Sequence, residues 1–389
     1  MAPRYTLSSD PEQRMKNNEM KNNQRAVCAL AAIGLIAAIV AGVRAADAPS
    51  PSWNPKAAAA YLDARLDWWS TWPNAARDKE TFCVSCHTAG PYALGRPVLA
   101  KLLGEQAPVA QQRKLYDNVV KRVSLWREVA PWYPDQTRGI PKSSESRGTE
   151  SVWDALVLAT RDAQAGALSG DTRTALANMW ALQMQVGEFK GAWAWLNFHY
   201  EPWESPNSPY LGATLAAMAV GTAPGSYSSS DEATSGMSKV KDYLAREFEK
   251  QNLYNKLMLL WASAKYDGLI TPAQRDSVVA AALMLQQADG GWGLPGLGDW
   301  KRVDDTIIDP ASDALATALV TLALQNGGVA RAHAGLSRGL MWLEQHQDPV
   351  TGKWASSSVN KKRDPASDAG GFFSDAATAY AVLSLTHTP

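Results

Sequence analysis

Three residues with a defined joint chemistry stand close together in the first quarter of the chain. The segment ETFCVSCHTAGPYALG runs from Glu80 to Gly95 and contains Cys83, Cys86 and His87 in the order C-x-x-C-H. Two thiols at this spacing form thioethers with a porphyrin, and the adjacent imidazole then lies beneath the iron as its proximal ligand. We therefore predict one covalently attached haem c, held by Cys83, Cys86 and His87.

The same motif has two rival interpretations, a labile C-x-x-C disulfide and half of a metal site. A thioredoxin-type redox motif lies between a strand and a helix, and the neighbouring sequence predicts no strand. A zinc site needs further Cys or His ligands nearby, but the only other cysteine is Cys28, inside an apolar run. The haem interpretation is therefore favoured.

The motif does not supply the ligand at the sixth coordination position of the iron. His199, in the segment AWLNFHYEPWESPNSPY, lies in a long predicted loop and is the candidate distal ligand. Met184 or Met218 is an alternative, since a methionine ligand raises the potential, and an open position that binds a small molecule is another. Arg96 and Arg138 are candidates for neutralising haem propionates, against the plainer interpretation of solvated surface charges.

The N-terminal segment has the pattern of an export signal. Residues 1–25 are polar and include five basic residues, whereas residues 26–43 (AVCALAAIGLIAAIVAGV) carry no charge. This pattern is typical of a signal peptide, and the apolar run is also near the lower limit for a membrane span. We expect residues 1–45 to be an export signal or a membrane tether, 46–55 a linker, and 56–389 a periplasmic or otherwise exported domain.

The overall composition excludes several classes of function. The chain has 38 basic and 38 acidic residues, so it offers no charge excess for binding nucleic acid. Beyond the apolar run it has only two cysteines, so it is not a disulfide scaffold. The outlier is tryptophan, with 16 Trp against 6 Phe, which indicates a repeated structural signature or aromatic binding surfaces.

The elements that must position the motif repeat as pairs of helices. Amphipathic segments with an apolar stripe at helical spacing occupy about 56–69, 108–128, 171–186, 237–249, 272–287 and 331–347. Segments that are apolar nearly all round occupy 91–103, 150–160, 209–221, 254–265, 312–325 and 374–385. The first pattern is typical of surface helices and the second of buried ones. No segment alternates with period two, so we predict an all-α toroid, with about six inner helices inside six outer helices.

The connecting loops divide into two sets. Outer-to-inner connections are mostly long, at about 70–90, 129–148, 187–207, 288–310 and 348–372, whereas most inner-to-outer connections are short. In an alternating toroid the two sets lie on opposite rims, and long loops in a compact domain are usually functional. The haem loop, 70–90, therefore belongs to the rim where the inner helices begin.

Three outer helices end in similar glutamine- and tryptophan-containing loops. The clearest is RGLMWLEQHQDPVTGKW (338–354), followed by LMLQQADGGWG (283–293) and ALQMQVGEFKGAW (181–193). The corresponding residues are Gln347, Gly352 and Trp354; Gln287, Gly290 and Trp292; and Gln185, Gly191 and Trp193. This pattern resembles the QW repeat of the squalene–hopene cyclase and protein prenyltransferase superfamily, whose members are α/α toroids, over most of residues 56–386. The resemblance implies that these glutamines cap helix ends and that these tryptophans are rim braces.

The catalytic residues of that superfamily do not carry over. The nearest match to its D-x-D-D motif is RVDDTIID (302–309), with Arg302 where the first Asp belongs. The zinc site of the prenyltransferases includes a cysteine, and no cysteine follows Cys86. We therefore expect neither a standard squalene cyclase nor a prenyltransferase, and interpret the acidic run as a solvated loop in which Asp309 or Asp313 caps a helix.

Three hypotheses for the function follow. The first is a haem protein that transfers electrons to a redox partner protein, or a haem-dependent oxidoreductase that oxidises a ligand in the toroid. The second is a binding or sensing protein for an apolar, isoprenoid-like ligand, with a structural or sensory haem. The third is a carbohydrate-active α/α barrel, which needs paired carboxylates across the cavity. The candidate carboxylates for the third are Glu150, Asp154, Asp313 and Asp375.

Overall fold

Amphipathic and wholly apolar helices alternate along the chain. The computed structural model describes residues 52–135 and 141–388. Its helices are α1 (Pro55–Thr71), α2 (Ala89–Leu102), α3 (Ala110–Ser124), α4 (Lys142–Ala165), α5 (Gly170–Ala181), α6 (Ser208–Thr222), α7 (Asp231–Glu247), α8 (Leu253–Ser263), α9 (Pro272–Met284), α10 (Ala314–Asn326), α11 (Ala334–Gln345) and α12 (Phe372–Leu385). The predicted signal or tether, the predicted linker as far as residue 51, and Arg138 lie outside the described residues.

The even-numbered helices form a closed inner ring. Each packs against the even-numbered helices before and after it, and α12 packs against α2. The inner helix α10 is buried from Ala314 through Gln325, whereas the outer helix α9 buries only Val278 and Ala282. A helix surrounded by other helices must be apolar on every side, which is the pattern in the sequence. The predicted all-α toroid of six inner and six outer helices is confirmed.

The inner helix α4 begins earlier than its apolar pattern predicts. Its first residue is Lys142, about two turns before the apolar segment at 150–160. Those first turns are polar but partly buried, because Glu145 accepts from the distant Asn197 N at 3.1 Å and Glu150 pairs with Arg122 on α3. A polar side chain can be buried when a residue elsewhere in the chain satisfies its charge or hydrogen bonds. A pattern of hydrophobic residues does not reveal such a side chain.

A small β-hairpin lies in the loop that carries the C-x-x-C-H motif, where the sequence predicts no strand. Its strands, β1 (Ala76–Arg77) and β2 (Thr81–Phe82), pair antiparallel. The side chain of Asn118 on α3 extends this pairing, since its Oδ1 accepts from Phe82 N at 2.8 Å and its Nδ2 donates to Phe82 O at 3.0 Å. The hairpin is too short to show period-two alternation in the sequence, and it fixes the backbone that leads into Cys83.

The repeated tryptophans brace the outer helices. Trp193, Trp292 and Trp354 are 0% exposed. Each indole N–H donates to a carbonyl in the last turn of the preceding outer helix, at 2.7, 2.7 and 2.8 Å respectively. The accepting carbonyls are those of Met179, Ala282 and Leu343. Carbonyls at a helix end have no partner within the helix, so the predicted role as rim braces is confirmed.

The glutamines of the repeat are only partly those expected. Gln347 donates to Gly352 O and to Asn54 O, which precedes the first outer helix. The residues with the same pair of contacts in the other two repeats are Gln183 and Gln286. The assignment of Gln185 and Gln287 is therefore wrong by one or two positions. These amides join one repeat loop to the start of the next outer helix.

The long loops do gather on one rim. They connect outer to inner helices at 72–88, 125–141, 182–207, 285–313 and 346–371. The C-x-x-C-H motif lies in the first of them, immediately before α2. Among residues 52–135 and 141–388, no helix combines the length and the apolar character that a membrane span requires.

Candidate functional site

Four of the five long loops enclose a cavity of about 480 Å³. Its wall includes Cys83, Cys86 and His87 from the first loop, together with residues of the loops at 125–141, 182–207 and 346–371. This volume lies within the range of about 300–1,000 Å³ usual for small-molecule pockets. The motif and the cavity therefore occupy the same place on the predicted rim.

Nine of the described residues that line the cavity are aromatic. They are Trp69, Trp72, Trp132, Tyr133, Phe198, Tyr200, Trp203, Phe372 and Phe373. Flat apolar faces suit a planar aromatic ligand and keep water from its surface. The tryptophan excess of the sequence thus serves two purposes, bracing the outer helices and lining this cavity.

Short-range contacts hold the motif in place. The carbonyl of Cys83 accepts from Trp69 Nε1 at 2.8 Å, and its backbone N–H donates to Ala75 O at 3.0 Å. The Ser85 hydroxyl accepts from Ala89 N at 3.0 Å, at the start of α2. The motif is therefore anchored on both sides by buried hydrogen bonds.

His87 is the only residue between 81 and 90 that is not fully buried. Its ring stacks on Phe372, with centroids 3.9 Å apart, and meets the edge of Trp69 at 5.0 Å. Burial, helped by the charges of Arg65 and Arg363, lowers the pKa of His87 to about 3. The imidazole is therefore neutral at physiological pH, which is the form that ligates metals.

A hydrogen-bonded relay fixes which nitrogen of His87 carries the proton. His87 Nδ1 lies 2.8 Å from Thr88 Oγ1, and that hydroxyl donates to Asp375 Oδ2 at 2.6 Å. Tyr61 and Arg65 donate to the other oxygen of Asp375, both at 2.7 Å. Because a hydroxyl has one hydrogen, Thr88 must accept from His87 Nδ1–H. Nε2 is then the nitrogen with a free lone pair, and it makes no hydrogen bond to the described residues.

The two thiols are free and buried. Trp153 Nε1 donates to Cys86 Sγ at 3.3 Å, and Arg77 Nη2 lies 3.5 Å from Cys83 Sγ. Burial raises the pKa of Cys83 to about 11 and that of Cys86 well above its usual range. A redox-active C-x-x-C pair needs a lowered thiol pKa, so the disulfide interpretation is not supported, although a short strand does precede the motif.

The structure does not support the zinc interpretation either. Within the described residues, no group of three or more His, Cys, Asp or Glu side chains is placed to hold a metal ion. A structural zinc site needs four such ligands.

His199 lies beside the cavity without lining it. Phe198 and Tyr200 contribute to the wall, whereas His199 between them is exposed, with a φ of 60°. Its backbone N–H is held by Asn197 Oδ1 at 3.1 Å, which fixes this outward turn. Ligation by His199 stays a prediction and requires this loop to rearrange.

The other predicted haem contacts also lie away from the cavity wall. Met184 and Met218 are not among its residues, and Met218 is buried within α6. Arg96 is 1% exposed and is enclosed by Asp63 and Glu105 at 2.9 and 2.8 Å. Both interpretations of Arg96, a propionate partner and a solvated surface charge, are wrong because its guanidinium is already satisfied inside the fold.

The carboxylates proposed for glycoside chemistry do not form a pair across the cavity. Asp313 caps α10 by accepting from Leu315 N at 2.8 Å, as predicted for that residue. Asp375 belongs to the relay, while Glu150 and Asp154 are buried together on α4. None of the four lines the cavity, so the carbohydrate-active interpretation is wrong for this site.

Glu204 has no role assigned from the sequence alone, and it is the one carboxylate among the described residues that line the cavity. It is half-buried, and its carboxyl group makes no hydrogen bond to the described residues. Desolvation raises its pKa from 4.5 to about 7, against the opposing charges of Arg77 and Lys142. A carboxylic acid that titrates near neutral pH in an aromatic cavity can give or take a proton.

Glu204 should make stability depend on pH. Between pH 4.5 and about 7 the folded chain keeps the Glu204 proton, whereas the unfolded chain has released it. The contribution of protonated Glu204 to the free energy of unfolding is therefore complete below pH 4.5 and is lost as the pH rises through about 7. In urea denaturation, we expect the free energy of unfolding of Glu204→Gln, relative to that of the wild type, to be higher at pH 8 than at pH 5. Glu188→Gln, at an exposed site, is the control, and an unchanged difference between the two pH values would contradict the assignment.

Comparisons with known proteins give a likeness only at the level of structure. No protein-family model matches the chain, and no curated protein matches it. Among solved structures it is similar to the apo form of the type II terpene cyclase MstE from Scytonema, at 15% identity and a TM-score of 0.46. That alignment covers 86% of this chain and 98% of the cyclase chain.

Proposed function

We propose that this chain is a c-type haem protein on an all-α toroid, and that its haem oxidises or reduces a small ligand held in the rim cavity. The observation that carries the proposal is the relay from Asp375 through Thr88, which leaves Nε2 of His87 free in the same cavity as Cys83 and Cys86. A metal-ligating histidine usually donates its other N–H to such a partner.

The residues present fit a haem. Both thiols are reduced and line the same cavity as the imidazole, and the surrounding rings offer flat faces to a planar macrocycle. Trp132 adds a buried indole N–H without a partner among the described residues, which suits a ligand that carries hydrogen-bond acceptors. When bound, the haem would supply one-electron redox chemistry.

The protein's own groups would then have separate roles. His87 would hold the iron, and Thr88 and Asp375 would keep the proton on Nδ1. The aromatic wall would exclude water, which strengthens electrostatic interactions inside the cavity. Glu204 would exchange a proton with a ligand in the cavity.

The residues of the cavity wall favour oxidation or reduction of a bound ligand over electron transfer alone. Among the described residues that line the cavity, His87 is the one imidazole and no methionine is present. The usual axial pairs of electron-transfer haems need a second histidine or a methionine. We propose that a small, largely apolar ligand occupies this space, and that the predicted export signal delivers the chain to the periplasm or another exported compartment.

The direct test is haem attachment in cells that carry exported haem-attachment machinery. We expect one haem per chain that survives denaturation in the wild type, and none in the Cys83→Ser/Cys86→Ser double variant. Cys28→Ser, which leaves the motif intact, should keep the haem. A wild-type protein that is exported and folded but carries no covalent haem would overturn the proposal.

Carbon monoxide binding distinguishes chemistry at an open sixth position of the iron from electron transfer alone. With an open sixth position, the absorption spectrum of the reduced protein should shift when carbon monoxide is added. An unchanged spectrum would instead indicate a filled sixth position and electron transfer to a redox partner protein. His199→Ala then shows whether His199 fills that position, because the spectrum of this variant would differ from that of the wild type.

A further inference from the structure

Eight consecutive exposed residues run along the edge of the cavity. Every residue from 361 to 368, a segment named here the strap, is exposed. The residues that flank the strap, Asn360 and Ala369, both line the cavity, and so does Arg363 within it. The strap therefore forms part of the cavity wall although none of its residues is buried.

Few contacts hold the strap to the rest of the fold. Lys362 N donates to Asp304 Oδ2 at 2.8 Å, and Arg65 donates to the carbonyl and the carboxylate of Asp368 at 2.8 and 3.3 Å. Among the described residues, no other hydrogen bond joins the strap to a residue outside its own loop. A segment with little buried apolar surface and few long-range hydrogen bonds opens at a low cost in free energy.

Asn360, at the start of the strap, joins three of the long loops. Its Oδ1 accepts from Glu201 N at 2.7 Å, and its Nδ2 donates to Glu201 O at 2.6 Å. Its backbone carbonyl accepts from Val303 N at 2.9 Å. The side-chain amide of Asn360 therefore fastens the strap to the loop at 182–207, and its carbonyl fastens it to the loop at 285–313.

The two thiols lie behind a wall that includes large buried side chains. Cys83 and Cys86 are free and only 4% and 2% exposed. Trp132 and Trp203, on two other loops of the wall, are 4% and 5% exposed. Moving either loop would expose an indole to water, whereas moving the strap exposes no buried side chain of its own. The strap is therefore the part of the described wall that loses least by opening.

We propose that the strap is the gate of the cavity, and that the pairing of Asn360 with Glu201 holds this gate closed. Opening breaks the two hydrogen bonds between these residues and moves Arg363 out of the wall, while the buried wall residues stay in place. This inference goes beyond the proposed function, because it concerns access to the cavity whatever the cavity holds.

The two thiols make the opening measurable without haem. In the full chain with Cys28→Ser, the remaining cysteines are the two of the cavity wall. N-ethylmaleimide should label them slowly in this parent protein, as counted by mass spectrometry at a fixed pH. After Asn360→Ala the labelling should be about 5- to 100-fold faster, because two hydrogen bonds that favour the closed strap are lost.

Gln347→Ala is the matched control. Gln347 Nε2 donates to Asn54 O at 3.0 Å, and its Oε1 accepts from Asn54 N at 2.6 Å. This amide, like that of Asn360, pairs in both directions with the backbone of one distant residue, but it does not line the cavity. Gln347→Ala should therefore leave the labelling rate of the parent protein unchanged.

A second variant loosens the strap at an exposed position. Asp304 is exposed and accepts from Lys362 N, so Asp304→Ala should also speed labelling, by a smaller factor than Asn360→Ala. This variant decides the result if Asn360→Ala does not fold. Labelling at the parent rate in both variants would overturn the gate. Equal acceleration by Gln347→Ala would overturn it too, since that result would indicate a general loosening of the rim.

Discussion

Replacing Trp292 by alanine is expected to lower the free energy of unfolding by about 3–5 kcal/mol. The side chain is 0% exposed, and the residue contacts three helices. Its indole N–H donates to Ala282 O at the end of α9, and its backbone N–H donates to Thr317 Oγ1 on α10 at 3.0 Å. Its ring lies so close to Gly339 on α11 that an added Cβ there would come within 2.5 Å. Truncation would leave a cavity where these helices meet and would remove one of the two hydrogen bonds that Ala282 O accepts.

Two further variants separate packing from hydrogen bonding in the same urea titration. Trp292→Phe keeps most of the volume but loses the N–H donor, so it should cost about 0.5–1.5 kcal/mol, since Ala282 O still accepts from Leu285 N. Trp72→Ala removes an equally large side chain that is only half-buried, and it should cost less than Trp292→Ala. A loss below about 1 kcal/mol for Trp292→Ala would show that the tryptophan does not brace the rim.

The helical architecture was predictable because its signal is repeated and local. Every inner helix must be apolar on all sides to lie within the ring, and every outer helix must be apolar on one side. The prediction failed where burial is achieved by polar pairing, as at the start of α4. It also failed for the glutamines, because neighbouring Gln185 and Gln287 satisfy the same local pattern as Gln183 and Gln286.

The candidate site was predictable only as far as its residues are adjacent in the chain. Cys83, Cys86 and His87 form a contiguous motif, so the sequence identifies them. Asp375 is 287 residues from Thr88, and only the closure of α12 onto α2 brings the two together. No local pattern marks Glu204, because its place on the cavity wall depends on how separate loops come together.

The largest expected effect at the site comes from Asp375→Asn. The amide keeps the shape of the carboxylate, but only its oxygen can accept from Arg65 and Tyr61, so its NH₂ group must face Thr88. The Thr88 hydroxyl would then accept from the amide and donate to His87 Nδ1. The imidazole proton would move to Nε2, and the lone pair that ligates iron would be lost.

This change of tautomer can be measured without haem. In the Cys83→Ser/Cys86→Ser background, the nitrogen chemical shifts of His87 should indicate a proton on Nδ1. Adding Asp375→Asn should move the proton to Nε2. The control is Asp368→Asn, which removes the same charge from a carboxylate that pairs with Arg65 at 3.3 Å but does not contact Thr88. A proton that stays on Nδ1 in the Asp375→Asn variant would contradict the relay.

In the haem-loaded protein, Asp375→Asn should weaken the bond between His87 and the iron. Loss of the outer hydrogen-bond partner of a metal-bound histidine typically costs about 10–100-fold in affinity. Protons compete with iron for Nε2, so in acid titrations of Asp375→Asn His87 should leave the iron at a pH about 1–2 units higher than in the wild type. Asp368→Asn should leave that pH unchanged, because Thr88 still donates to Asp375 and His87 Nδ1 still donates to Thr88. A common shift in both variants would assign the effect to the charge on Arg65 and not to the position of the imidazole proton.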